Sequence, residues 1–309
     1  MKVVAFAGGV GGAKLVDGLR YCLDPKDFSI IVNTGDDFVH FGLKICPDLD
    51  TICYTLANIS NPETGWGRKE ESWRVWEGIG ELGGPTWFRL GDKDLATHLE
   101  RTRLLSQGLS LSEITTKLCN LWGVQVKVYP MSDDPCSTIV FTKELGEIPF
   151  QEYFVKHQTK LTVESFRFNG IDSAMPAPGV LEAIFEADLI IFCPSNPWVS
   201  IDTILSVQGI RQSIIQKRII AVSPIIAGHA VKGPAAKMFQ DLGIVPSALR
   251  VADHYKELLW GFILDSADET DAAMINQWGI IPYVTRILMP NLSNRKRLAE
   301  EALQFAVSF

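Results

Sequence analysis

The sequence has no pair of cysteines separated by two residues, although it contains six cysteines in all. Zinc ribbons and thioredoxin-type redox sites depend on such pairs, so both classes are excluded. No apolar run reaches about 18 residues, the length that a membrane span requires. Basic residues are also in deficit, with 29 Lys and Arg against 36 Asp and Glu, and no basic stripe typical of nucleic-acid binders occurs. We therefore expect a cytoplasmic protein with reduced thiols that binds neither nucleic acid nor membranes.

The start of the chain has the pattern of a parallel α/β sheet. Val3–Ala7 is a short apolar run that ends in glycines, residues 13–23 carry leucines at helical spacing, and residues 30–32 predict a second strand. A strand, a glycine turn, a helix and a second strand together make a βαβ unit. With 309 residues and 47% hydrophobic composition, the chain can form one large domain or two modest ones.

The middle of the chain predicts a different kind of structure. Residues 51–122 have mostly helical patterns, and residues 124–129 predict a strand. Residues 137–168 resemble β-hairpins, with predicted strands at 138–141, 153–155 and 166–168. The α/β alternation resumes after residue 176. We therefore predict a Rossmann-like α/β fold with a mainly parallel sheet, formed by residues 1–135 and 176–309, and a smaller, partly antiparallel β subdomain inserted at 136–175.

Polar or glycine-rich clusters follow successive predicted strands. These clusters are residues 8–12, 33–37, 130–134, 194–197 and 223–229. In open parallel sheets, ligands bind beyond the carboxyl ends of the strands. The clusters should therefore converge on one crevice, where Ser195 and Asn196 supply small polar groups.

The glycine cluster predicts an anion site. Gly9, Gly11 and Gly12 let backbone N–H groups approach an anion closely, and Lys14 follows in the first helical turn. A Walker A loop fits poorly, because residues 13 and 15 are Ala and Leu. A dinucleotide fingerprint would place Lys14 where Gly or Ala packs the helix onto the sheet. A Rossmann oxidoreductase with Asp36 as the ribose-binding acid nevertheless remains an alternative.

Four acidic residues lie near that anion site in the sequence. Asp36 and Asp37 end the second strand, and Asp48 and Asp50 precede a predicted helix. Carboxylates beside a phosphate loop are consistent with a hard cation such as Mg²⁺, which offsets their repulsion. The alternative is structural, because Asp48 or Asp50 could cap the helix that follows.

A segment dense in aromatic and polar residues supplies further candidates. Arg89 is a candidate phosphate ligand, while Trp66 and Trp87 could stack on a flat ring. His98 more often has a structural role in such a setting than a catalytic one.

Taken together, these clusters resemble the 2-phospho-L-lactate transferase family of coenzyme F-420 biosynthesis, which has bacterial phosphoenolpyruvate transferase relatives. The matching stretches are AGGVGGA at 7–13, VNTGDD at 32–37, CPDLDT at 46–51, GWG at 65–67, LGDKDLATH at 90–98, PSNP at 194–197 and SPII at 223–226. They occur in the expected order over most of the chain.

The resemblance implies an activity. Family members transfer a phosphate-linked three-carbon acid from a guanosine diphospho adduct to the ribityl hydroxyl of the deazaflavin Fo, use Mg²⁺ and release GMP. By similarity, Asp50 would contact the substrate or the metal, Asp37 would be a further metal ligand, and Arg89 and Asp92 would line the Fo and diphosphate site. A homodimer is also implied. The donor acid could be lactate, enolpyruvate or glycerate, and a non-catalytic nucleotide or nucleotide-sugar binding regulator on the same fold is the alternative.

Overall fold

The computed structural model describes residues 1–308, which contain fourteen strands and twelve α-helices. The strands are β1 Val3–Ala7, β2 Phe28–Val32, β3 Phe38–His40, β4 Leu43–Ile45, β5 Lys127–Pro130, β6 Ser137–Thr142, β7 Gly146–Pro149, β8 Val163–Asn169, β9 Leu189–Phe192, β10 Arg218–Val222, β11 Ile225–Ile226, β12 His229–Ala230, β13 Gly261–Asp265 and β14 Ile281–Thr285. The helices are α1 Gly9–Leu19, α2 Pro47–Leu56, α3 Arg74–Glu81, α4 Asp92–Ser106, α5 Leu111–Leu121, α6 Val180–Glu186, α7 Asp202–Ser206, α8 Ile210–Ile214, α9 Ala235–Asp241, α10 Ala248–His254, α11 Ala272–Gln277 and α12 Leu292–Val307. Short helical turns lie at Pro25–Asp27, Glu152–Lys156, Ile171–Ser173, Pro197–Ile201 and Ser266–Asp271.

The central sheet has seven strands in the order β14-β13-β10-β9-β1-β2-β5, and every neighbouring pair is parallel. The predicted α/β class with a mainly parallel sheet is therefore confirmed. Strand β1 is buried along its whole length, as expected when helices cover both faces of a parallel sheet. The chain runs outward from β1 in both directions, so β1 and β9 flank the point at which the strand order reverses. Ligands bind at that point in folds of this type.

A smaller antiparallel sheet, in the order β7-β6-β8, falls within the predicted insertion. Its residues Val140 and Val163 belong to the same hydrophobic cluster as Phe6 and Phe192 of the central sheet. The small sheet therefore packs on the core of the molecule, and the division into domains at 136 and 175 stays a prediction.

The predicted strand at 153–155 is wrong, because these residues form part of the helical turn Glu152–Lys156. Phe150 and Phe154 have the spacing of neighbours on one helix face, and their rings stack with centroids 5.8 Å apart. That packing outweighs the β propensity of the aromatic residues. Tyr153 is fully buried on the side of the hydrophobic core.

Several boundaries also differ from the prediction. Helix α1 begins at Gly9, inside the glycine cluster, and ends at Leu19. Strand β5 begins at Lys127 rather than at residue 124. Strand β14 contains Pro282 but still pairs with β13 at the sheet edge. Within residues 1–308, no helix is both long and apolar enough to cross a membrane.

Candidate functional site

A cavity of about 770 Å³ opens at the carboxyl ends of the central strands. Gly8 and its neighbours follow β1, Asp36 follows β2, Pro194 follows β9, and Ser223 follows β10; all of them line the cavity. Four of the five predicted clusters therefore converge. Residues 130–134 do not line the cavity.

The cluster at residues 130–134 instead stabilises the start of helix α5. Asp133 accepts hydrogen bonds from the backbone N–H of Ser112 at 2.6 Å and from its hydroxyl at 2.7 Å. Ser112 lies in the first turn of α5, so the carboxylate satisfies an otherwise free helical N–H group. The expectation that this cluster faces the crevice is therefore wrong.

The glycine loop is held against the turn that follows β9. The Ser195 hydroxyl accepts a hydrogen bond from the Gly8 N–H at 3.0 Å and donates one to the Gly8 carbonyl at 2.8 Å. A Cβ atom on Gly11 would lie 2.2 Å from the carbonyl oxygen of Pro194, and Gly9 has a positive φ of 61°. Glycine is therefore required at both positions, for close approach at Gly11 and for conformation at Gly9.

The remaining members of this wall are Gly12 and Asn196. A Cβ atom on Gly12 would lie 2.9 Å from the Ser195 hydroxyl oxygen, so this glycine serves the packing of α1 beneath the cavity. The Asn196 side-chain oxygen accepts from the backbone N–H groups of Trp198 at 3.1 Å and Val199 at 3.4 Å. Asn196 thus begins the helical turn Pro197–Ile201 while it lines the cavity.

Two lysines give one side of the cavity a positive charge. Burial lowers the pKa of Lys14, and the charges of Arg295 and Lys232 lower it further. Lys14 has no acidic partner among residues 1–308, whereas Arg295 is paired with Asp17. The Lys232 ammonium group lies near the glycine loop, and its hydrogen-bond partner is a backbone carbonyl, that of Thr64. Cations without counter-ions in the described part of the chain lie beside the first turn of α1, whose N–H groups beyond Gly9 have no partner within the helix, and this makes the wall suitable for a phosphate.

Two carboxylates form an acidic wall beside the glycine loop. Burial and the charge of Asp48 raise the pKa of Asp36 well above its usual value, and the Asp36 Oδ1 atom has no hydrogen-bond partner among the described residues. Burial raises the pKa of Asp48 to about 6, although hydrogen bonds from Asn33 and Gly9 oppose the shift. The Asn33 amide donates to Asp48 Oδ2 at 2.9 Å. Burial therefore makes ionisation of both acids unfavourable, and a cation close to them would lower that cost.

The other two predicted acids already have cationic partners. Asp37 lies 3.0 Å from the Lys44 ammonium nitrogen and is not among the residues that line the cavity. Asp50 lines the cavity and accepts two hydrogen bonds from the guanidinium of Arg101. Neither Asp48 nor Asp50 caps α2 with its side chain, because the residue at the N-cap is Cys46.

Asp50 belongs to a polar network that the sequence analysis missed, and three of its other members, Tyr54, Asp94 and His98, also line the cavity. Asp94, His98 and Arg101 occupy one face of α4, and the Tyr54 hydroxyl of α2 donates to Asp94 at 2.7 Å. His98 lies 3.4 Å from Asp94 and 3.2 Å from the Arg101 guanidinium. The spacing of four and then three residues is the signal that could have identified this group as one helix face.

A further part of the cavity lining is aromatic. The Arg89 guanidinium lies 3.9 Å from the ring centroid of Trp73, and both residues line the cavity with Trp87. Trp66 also lines the cavity and is 42% exposed, so its ring face is available to a ligand. Asp92 is not among the lining residues; it accepts from the hydroxyl of Ser72 at 2.5 Å and begins α4.

The structure thus brings together most of the predicted site residues. Those that line the cavity are Gly9, Gly11, Lys14, Asp48, Asp50, Trp66, Arg89, Ser195 and Asn196. Gly12, Asp37 and Asp92 lie outside the lining. The functional roles assigned to all of them stay predictions.

Known proteins match this chain over most of its length. The family model described as 2-phospho-L-lactate transferase CofD matches residues 3–279. A phosphoenolpyruvate transferase from Kitasatospora aureofaciens is 44% identical over 99% of this chain and 98% of its own length. One from Thermobifida fusca is 46% identical over 87% of each chain.

A solved structure supports the fold. A UPF0052-family protein from Bacillus halodurans superposes with a TM-score of 0.62 over 98% of each chain, at 17% sequence identity. At that identity the likeness concerns the fold alone. The match to the family model and the relatives above 40% identity go further, and they show that this chain belongs to the 2-phospho-L-lactate transferase CofD family, a family of transferases.

Proposed function

We propose that this chain transfers a phosphoenolpyruvyl group from a guanosine diphospho adduct to the ribityl hydroxyl of the deazaflavin Fo and releases GMP, as a step of coenzyme F-420 biosynthesis. The choice of enolpyruvate over lactate or glycerate follows the name shared by relatives at 37–46% identity. The choice of Fo and of a guanosine donor follows the family. Both choices go beyond what the family membership itself requires.

The observation that carries the proposal is the composition of the cavity described above. One wall offers glycine N–H groups and Lys14, the second offers paired carboxylates, and the third offers aromatic rings with Arg89. A diphosphate, a divalent cation and a flat tricyclic ring have the matching chemistries. A volume of about 770 Å³ is within the range of ordinary ligand sites.

The reaction balances as a simple displacement at phosphorus. The ribityl hydroxyl oxygen attacks the phosphorus that carries the three-carbon acid, and a new P–O bond forms. The anhydride bond to the guanosine phosphate breaks, and GMP leaves with the bonding electrons while the hydroxyl proton is released. Such transfers depend on charge neutralisation and alignment more than on a covalent nucleophile.

The residues present fit a divalent cation best at Asp36 and Asp48. The Asp36 Oδ1 atom is buried without a hydrogen-bond partner in residues 1–308, and the charge of Asp48 raises the cost of ionising Asp36. Asp37 and Asp50, the pair predicted as metal ligands, already interact with Lys44 and Arg101. Mg²⁺ held at the cavity wall would supply electrostatic stabilisation of phosphoryl oxygens.

The chain's own residues have three proposed tasks. The N–H groups of the glycine loop and Lys14 bind the diphosphate, and the stacked guanidinium of Arg89 with Trp66 or Trp87 orients the deazaflavin. Asp50 faces the cavity and accepts a hydrogen bond from the attacking hydroxyl. Burial of the reactants between these walls limits the access of water, which would otherwise compete as the acceptor.

The test is turnover with purified components. The chain is incubated with Fo, Mg²⁺ and each of the three synthetic donors, and product and GMP are followed by chromatography with mass detection. We expect Mg²⁺-dependent product with the enolpyruvyl donor at the highest kcat/KM, and no product when a chelator is present. If the lactyl donor gave the highest kcat/KM, the assignment of the donor acid would change and the proposed transfer to Fo would stand. Tight nucleotide binding without product from any donor would refute the transfer and favour a nucleotide-binding regulator.

A homodimer in the cytoplasm is a further part of the proposal and rests on family similarity. Sedimentation analysis of the purified chain tests the dimer, and cell fractionation tests the location.

A further inference from the structure

Arg101 is a charged residue that lies almost completely inside the protein. Its side chain is 2% exposed, and it lies behind Asp50 rather than among the residues that line the cavity. An isolated guanidinium in such a place would be strongly unfavourable, so its partners explain why it is there. The main partner is the Asp50 carboxylate, itself only 5% exposed.

The contact between the two is a two-point interaction. Arg101 Nη1 donates to Asp50 Oδ2 at 3.0 Å, and Nη2 donates to Oδ1. The planar guanidinium and the planar carboxylate therefore fix each other's orientation, which a lysine with a single ammonium nitrogen cannot do. The interaction joins α4 to the first turn of α2, so the position of Asp50 depends on the packing of both helices.

Other groups hold the guanidinium in place. Nη1 also contacts the Lys44 carbonyl oxygen at 3.4 Å and the His98 Nδ1 atom at 3.2 Å. Since the guanidinium has only protons to offer, His98 accepts through Nδ1 and carries its own proton on Nε2. That nitrogen lies 3.4 Å from Asp94 Oδ1. Asp94 and His98 themselves line the cavity, so the network holds Arg101 and Asp50 together at the cavity wall.

The same side chains do not make a good metal site. One ligand atom from each of Asp50, Asp94 and His98 lies within 4.8 Å of the others, a spacing that a metal could use. However, the Arg101 guanidinium already engages both oxygens of Asp50, and a metal ion there would meet its positive charge at short range. The network is better explained as a support for Asp50.

We propose that Arg101 is a positioning residue that fixes the Asp50 carboxylate towards the cavity, so that this carboxylate can align the attacking hydroxyl. The role rests on the proposed function. Arg101 acts through Asp50 and does not itself touch the substrate. A misplacement of about 1 Å in an aligning group lowers turnover by about 10²-fold, so loss of the guanidinium should reduce kcat while donor binding at the glycine loop persists.

The test compares Arg101→Ala and Arg101→Lys with the native chain, and Arg103→Ala is the control. Arg103 lies on the same helix, pairs with Glu100 and is exposed. We expect Arg101→Ala to lose about 10²-fold in kcat with the donor KM changed less than about threefold. Arg101→Lys should retain charge but lose alignment, with an intermediate kcat. The control should match the native chain.

Chemical rescue separates positioning from a purely structural role. Millimolar guanidinium should restore kcat of Arg101→Ala about tenfold by entering the vacated space, whereas equal concentrations of sodium chloride or urea should not. Thermal unfolding checks that the variants are folded at the assay temperature. If Arg101→Ala does not fold, Arg101→Lys decides, and native kcat in that variant overturns the proposal.

The outcomes of this experiment are distinct. A folded Arg101→Ala variant with kcat close to native overturns the positioning role alone. A loss of kcat that guanidinium does not restore and that lysine does not relieve also overturns it, because it indicates a structural role. Absence of turnover in the native chain refutes the proposed function and this role with it.

Discussion

Replacing Asp48 by Asn should make the metal-free protein more stable and much less active. Asp48 is buried beside Asp36, and burial raises its pKa from 3.8 to about 6. The difference of about two pKa units corresponds to about 3 kcal/mol of unfavourable free energy once the carboxyl group is ionised. Asparagine removes the charge and keeps the shape, but it has one acceptor oxygen where Asp48 accepts from both Asn33 and the Gly9 N–H, so about 3 kcal/mol is the upper bound of the gain.

The sign of this effect fixes its pH dependence. Because the folded-state pKa lies above the unfolded value, the native state binds more protons than the unfolded state between about pH 4 and about pH 6. The free energy of unfolding of the native chain should therefore fall as pH rises through that window. The Asp48→Asn variant has no carboxyl group at this position, so its free energy of unfolding lacks this pH-dependent contribution. The two proteins should have similar stability near pH 4 and differ by up to about 3 kcal/mol near pH 8.

The assay is urea unfolding in the presence of a chelator, near pH 4 and near pH 8. The exposed Asp172→Asn change is the control, since it removes the same charge from a solvated position and should leave stability within about 0.5 kcal/mol. Added Mg²⁺ should raise the unfolding midpoint of the native chain and not that of Asp48→Asn. An Asp48→Asn variant that is no more stable than the native chain near pH 8 refutes the argument that this acid pair is held at an energetic cost.

Three further substitutions test separate parts of the site and its support. Gly11→Ala places a Cβ atom 2.2 Å from the Pro194 carbonyl oxygen, so the unfolding temperature should fall and GDP binding, followed by calorimetry, should weaken at least about tenfold. Arg89→Lys removes a flat guanidinium from an indole ring, and steady-state kinetics should show an Fo KM raised about tenfold with little change in kcat. Gly18→Ala inserts a Cβ atom 2.2 Å from the Arg295 carbonyl oxygen, where α1 packs on α12, and urea unfolding should show a loss of about 2 kcal/mol or more with kcat retained.

Each of these expectations has an outcome that contradicts it. Native GDP affinity in Gly11→Ala would mean that the glycine loop is not the anion site. An unchanged Fo KM in Arg89→Lys would mean that the aromatic wall does not bind the acceptor Fo. A Gly18→Ala variant that loses kcat as well as stability would mean that the α1–α12 contact and the cavity are coupled.

The sequence predicted the fold well where strands are buried on both faces. Short continuous apolar runs such as Val3–Ala7 and Leu189–Phe192 are typical of buried parallel strands, and the structure contains them as β1 and β9. The prediction failed where aromatic residues could support either pattern, as in Glu152–Lys156. Packing against distant residues decides such segments, and local patterns do not contain that information.

The candidate site was only partly predictable for a related reason. The glycine loop has a strong local signature, and so do the acids that follow β2. Whether an acid faces the cavity or an internal cation depends on tertiary contacts: Asp36 lines the cavity, while its neighbour Asp37 faces Lys44. Arg101 was missed because its significance lies entirely in its contact with Asp50, 51 positions earlier in the chain.

The central position of β1 has a consequence for how the protein is made. The glycine loop after β1 is fixed by Ser195, which lies 187 positions later. The loop emerges from the ribosome early, but the residue that holds its backbone in place is synthesised only after nearly two thirds of the chain. Domains fold as units during synthesis, and pairings this distant form late. A nascent or truncated chain that carries the complete glycine motif should therefore have no nucleotide affinity, and nucleotide capture would select finished molecules from a translating population.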